Sequence, residues 1–218
     1  MEVQDGFIVG VHNYCDRWCE TCAFTSRCQA LTVRSEVETD RQPTPRWLQE
    51  CVAEMNAVLR ETTTDQRFGR LLRCVAPEHH GIEQRARAYS FAAAGFLQTL
   101  EAAPDGDHAD PRTIVGRYCV LIPTKVYRAL AALANEDVYA EHWPRDHDGS
   151  AKVALITIER SRAAWIAMAE LGLAPVMGVE QFVSDLSRLA DDLDRVFPNA
   201  RTFVRPGLDE PDEVAKLS

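Results

Sequence analysis

Cys15, Cys19, Cys22 and Cys28 lie within fourteen residues, in the order C-x3-C-x2-C-x5-C. Thiols this close in sequence can pair as disulfides, exchange electrons, or share a metal. The opening residues Met1-Glu2-Val3-Gln4-Asp5 lack the basic region and apolar run of an export signal. In a reducing compartment clustered cysteines hold metal or do redox work rather than cross-link the chain. Cytoplasmic residence and a shared metal are therefore the expectations. Cys51, Cys74 and Cys119 are scattered among apolar neighbours and read as small core residues.

Spacing bears on which metal. Structural zinc is usually held by two C-x2-C-like pairs with a dozen or more residues looping between them. Only Cys19 and Cys22 have that character. Ligands separated by three, two and five residues wrap more naturally around a cubane, whose iron corners are spread in space. The expected cofactor is a [4Fe–4S] cluster on Cys15, Cys19, Cys22 and Cys28. Zinc is the alternative, with His12 able to replace one thiolate. Tyr14, Trp18 and Phe24 are interleaved with the ligands and could exclude water, while Arg17 and Arg27 offset thiolate charge. The same aromatics would serve equally as plugs that pack the segment in place.

Cys15-x3-Cys19-x2-Cys22, following the apolar run Phe7-Ile8-Val9-Gly10-Val11, resembles the C-x3-C-x2-C loop of radical SAM enzymes. In that family three thiolates hold a [4Fe–4S] cluster whose open iron binds S-adenosylmethionine. Here Thr21 stands where the family has an aromatic residue, Cys28 would fill the open iron, and the rest of the chain reads as helical. Cys19-x2-Cys22-x5-Cys28 is similar to the spacing in auxiliary-cluster domains attached to some of those enzymes. Both resemblances concern this segment alone and imply an iron–sulfur cluster, not an activity.

The elements that must position this segment are helical. Trp47, Cys51, Met55 and Val58 recur at the interval of an amphipathic helix that Thr44 and Pro45 open. A short helix over 68–75 should follow. Further helices are expected over 81–103, from Asp110-Pro111 through Leu130, over 151–172, and over 179–196, where Phe182, Leu186, Leu189 and Leu193 face inward. Pro123 should kink or split the helix it interrupts, freeing the carbonyl of Cys119. Residues 144–149 read as a polar connection, and 7–11 as the one strand-like run. The fold class is all-α: a four- or five-helix bundle over 44–205, a cysteine-rich metal-binding segment over 1–43, and an acidic tail over 206–218.

Two further sets of residues carry chemical interest. Tyr118, Lys125, Lys152 and Glu159 sit on otherwise apolar helical faces and would form a buried polar network or anion pocket if those faces meet. His79 and Glu83 are spaced to present two ligands on one helical face, although a polar helix start explains them as well. A net charge of -9 over 218 residues argues against nucleic acid, whose phosphates need a basic face. No apolar run reaches bilayer-spanning length. The functional expectation is a cluster-binding helical protein that transfers electrons to a protein partner, senses redox state, or assists a larger enzyme. A zinc-stapled scaffold or adaptor is the alternative, and an enzyme with a polar pocket inside the bundle the third reading.

Overall fold

A computed structural model of the chain describes residues 3–31, 77–104, 106–135 and 145–209. The helices expected over 45–59 and 68–75, the 43/44 boundary and most of the tail lie outside the described residues. What is described falls into two compact units, one holding 3–31 with 206–209 and the other 77–205.

In the first unit, strand β1 (Val3–Gln4) pairs antiparallel with β2 (Phe7–Ile8), Val3 opposite Ile8 and Gln4 opposite Phe7. Asp5 and Gly6 connect them with φ of 51° and 84°. Two consecutive positive φ values are what a tight two-residue hairpin needs, and Asp-Gly is a pair that supplies them. The single run expected over 7–11 is thus corrected: only its first two residues are extended. Gly10 turns the chain at φ 72°, and Val11–Asn13 form a 3-10 turn.

The second unit contains four long helices: α1 (Gly81–Leu97), α2 (Pro111–Ala134), α3 (Asp146–Glu170) and α4 (Val176–Val196). Side-chain pairs establish how they run. Leu97 ends α1 against Gly116 near the start of α2. Arg128 and Asp146, then Tyr118 and Arg160, join opposite ends of α2 and α3. Arg85 pairs with Asp192 while Phe96 meets Gly178, so α1 and α4 are also antiparallel. Each helix therefore packs antiparallel to its neighbours, giving an up-down-up-down bundle.

The core is aromatic at one end. Trp165 stacks on Phe182 with ring centres 4.3 Å apart, and Phe96 meets both edge-on at 5.7 and 5.4 Å. Tyr89 closes the group, edge-on to Phe182 at 6.1 Å. Its hydroxyl lies 2.8 Å from Ser161 Oγ and accepts a hydrogen bond from Trp165 Nε1 at 3.0 Å, so the polar atoms buried here are satisfied. Phe182, Leu186, Leu189 and Leu193 are buried along α4, as their spacing requires.

Several helix limits differ from the sequence reading. Helix α1 stops at Leu97 rather than 103, because the Thr99 hydroxyl and amide both donate to the Phe96 carbonyl and close the chain into a tighter turn. Helix α3 begins at Asp146, so residues read as a polar connection form its first turn. Asp148 is 2 % exposed and accepts from Arg145 at 2.8 Å, which explains how an acidic run is accommodated there. Pro123 does not split α2, which continues from Pro111 to Ala134. The turn after α3 has the hydrogen bonds of a Schellman cap: Leu173 N–H donates to the Met168 carbonyl at 2.8 Å, with Gly172 at φ 69°.

Candidate metal centre

Short turns carry the four thiols. The Val11–Asn13 turn leads into Cys15, Cys19 opens the turn Cys19–Thr21, Cys22 follows it directly, and the turn Thr25–Arg27 delivers Cys28. Each turn is closed by two successive backbone bonds; among them Cys22 N–H donates to the Cys19 carbonyl at 3.3 Å and Cys28 N–H to that of Thr25 at 3.4 Å. Between Cys15 and Cys19 the chain reverses at Arg17, with φ 56°. The Asp16 carboxylate accepts from Trp18 N–H at 3.2 Å and pins that reversal from inside the three-residue spacer.

As a result Cys15, Cys19, Cys22 and Cys28 all line one cavity of about 30 Å³, walled by Val11, Trp18, Phe24 and Leu31. None of the four is in a disulfide. Burial pushes the Cys19 thiol pKa up, and the neighbouring Cys15, Cys22, Cys28 and Glu20 push it further in the same direction. Sulfurs that feel one another's charge in this way form an electrostatic group that a cation would relieve. Phe24 N–H points at Cys22 Sγ over 3.4 Å, the contact by which backbone amides stabilise a thiolate. Cys15 Sγ donates to the His12 carbonyl at 3.5 Å. Tyr14 and Trp18 are buried, and Arg17 is the cation that reaches the cavity wall. Among the described residues, no group of three or more His, Cys, Asp or Glu side chains stands arranged to hold a metal ion, so the thiols line the cavity without enclosing an ion.

The polar residues of the bundle are divided. Tyr118 and Lys125 are buried on α2, at 0 % and 3 % exposure. The Tyr118 hydroxyl accepts from Arg160 Nη1 at 2.9 Å. Lys152 and Glu159 share a face of α3, as their seven-residue spacing requires, but that face meets the chain after α4. Lys152 Nζ donates to the Phe203 carbonyl at 2.5 Å, and the half-exposed Glu159 accepts from Arg201 Nη1 at 2.8 Å. Arg201 also grips Asp194 through two bonds, so this is a clasp holding residues 200–203 on the bundle.

His79 ends the 3-10 turn Pro77–His79 ahead of α1, and Glu83 lies in the first turn of α1. His80 Nδ1 accepts from Ile82 N–H at 3.2 Å and caps α1, while Glu83 accepts from Arg87 at 2.7 Å. The residues that sequence reasoning missed around the cysteines are Asp16, whose carboxylate sets the spacer, and Leu31, which completes the wall. Only Asp16 carried a signal, as an Asx residue opening a turn. No protein-family model, no curated protein and no solved structure matches this chain.

Proposed function

We propose that Cys15, Cys19, Cys22 and Cys28 bind an iron–sulfur cluster of the [4Fe–4S] type. The chain would then be a cytoplasmic electron-transfer, redox-sensing or accessory protein that works with a protein partner. The observation that carries this reading is that all four thiols of one short stretch line a single cavity. The short spacing suits a cluster, the apolar wall supplies the low-dielectric shell that governs its potential, and the amide aimed at Cys22 Sγ is of the kind that stabilises cluster sulfur. Among the described residues no helix is long and apolar enough to cross a membrane.

Zinc is the second reading, favoured by one observation. The cavity, at about 30 Å³, is nearer the size of a single ion than of a cubane, and the thiols that line it would have to draw together to ligate one. Anaerobic purification followed by iron, sulfide and zinc analysis separates the two. A cluster gives brown protein with roughly equal iron and sulfide and a visible absorption bleached by dithionite. Colourless protein with about one zinc per chain establishes the stapled scaffold instead. Cys22→Ser should lower bound metal sharply in either case, and full retention would remove the site.

A further inference from the structure

The α3–α4 hairpin carries a second apolar stripe that the core does not use. Phe182, Leu186, Leu189 and Leu193 point α4 inward, but Val176 and Val183, seven residues apart, lie on a different face. Together with Ile166 and Ala169 of α3 they form the floor of an open groove of about 490 Å³, with Glu170 and Glu180 among its lining residues. Ile166 is 44 % exposed and Val176 57 %. Leu171, just past α3, and Met177, in the first turn of α4, are exposed apolar residues of the same hairpin, at 66 % and 86 %. An exposed apolar groove rimmed by charge is a common form of protein-binding surface.

Charge decides the occupant. A second copy docking by two-fold symmetry would set Glu170 and Glu180 against the same pair, and each copy carries a net charge of -9. A basic segment meets no such opposition. The floor is built from small and β-branched side chains, so it leaves width for larger anchors from the partner, and a helix lying between two helices presents anchors at the i, i+3/i+4, i+7 spacing. We propose that this groove binds an amphipathic helix of a partner protein, with Leu, Ile or Phe on its apolar face and Lys or Arg on its flanks pairing with Glu170 and Glu180. The inference stands on the bundle alone and is independent of which metal the cysteines hold.

The test uses the full chain and two synthetic helical peptides with the same leucine face, one flanked by lysines and one by glutamates, followed by fluorescence anisotropy. The lysine peptide should bind saturably, at least about ten-fold tighter than the glutamate peptide, and weaken as salt rises. Val176→Asp, at an exposed position, should abolish binding, with circular dichroism confirming that the helices persist. The double variant Glu170→Lys and Glu180→Lys should reverse the peptide preference, which a merely unfolded protein could not do. Equal binding of both peptides, binding unaffected by Val176→Asp, or no saturable binding of the lysine peptide would each overturn the proposal. So would concentration-dependent dimerisation of the wild-type chain that Val176→Asp removes, since the groove would then serve a second copy.

Discussion

From Val11 to Leu31 the described backbone turns every few residues and each 3-10 turn is closed by two backbone hydrogen bonds, whereas α3 runs unbroken for 25 residues through the bundle. The bundle gathers Trp165, Phe182, Phe96 and Tyr89 into one mutually packed group. The cysteine stretch arranges its aromatics around a hollow lined with sulfur. The lesson is energetic. Burying large aromatic side chains stabilises a fold without help, while a short chain of turns gains most from a ligand that joins its thiols, because binding energy there becomes folding energy.

The largest effect expected of a core change follows from that contrast. Trp165 is fully buried and stacked on Phe182, so Trp165→Ala should cost about 3–5 kcal/mol in urea unfolding followed by far-ultraviolet dichroism. The metal proposed for the thiols should, per folded chain, be bound to the same extent in this variant. A parallel fall in metal would break the comparison by showing that the thiol site depends on this core.

A smaller effect, about 1–3 kcal/mol, is expected for Tyr89→Phe, which leaves Ser161 Oγ and Trp165 Nε1 without the hydroxyl they share. Burial pushes the Tyr89 pKa up to about 12, against an ordinary value near 10. The unfolded chain therefore releases this proton first, and the stability that Tyr89 contributes is complete below about pH 10 and lost as pH rises toward 12. The wild type should lose stability steeply across that interval and the Phe variant less so. Identical alkaline slopes would show that burial does not hold the proton on Tyr89.

The smallest is Asp110→Ala. Asp110 caps α2, accepting from Arg112 N–H at 2.8 Å, and its removal should cost about 1 kcal/mol. Hydrogen bonding from Arg112 holds the Asp110 carboxyl below its ordinary range. The contribution is therefore present above the unfolded pKa, near 3.9, and disappears as pH falls through the lower folded value. Acid titration of the melting temperature should show a shallower acid limb in the variant. An unchanged limb would assign the cap no electrostatic role.

Helix positions were legible where pattern and punctuation agreed. Asp110-Pro111 opens α2 and Pro198 lies just past the end of α4, because a cap acceptor and a residue without an N–H act locally. The start of α3 was not legible: an Asp-His-Asp run looks solvated until Arg145, in a left-handed conformation, folds back to pair with Asp148. The hairpin at Asp5-Gly6 was written in the sequence but is too short to register as alternation. Of the candidate sites, the grouping of the four thiols could be read because fourteen residues leave little room to separate them. The fate of Lys152 and Glu159 could not, since it depends on residues 42 or more positions away that pattern analysis leaves unplaced.

A β-carbon placed on Gly178 would lie 3.1 Å from Phe96, closer than such atoms comfortably approach. The missing side chain lets the first turn of α4 press directly on the aromatic group. That turn also carries Val176, so the wall of the surface groove is braced from behind by the core. A surface fixed in this way has little freedom left to lose when a helix settles on it, and the entropic cost of recognition falls mainly on the incoming segment.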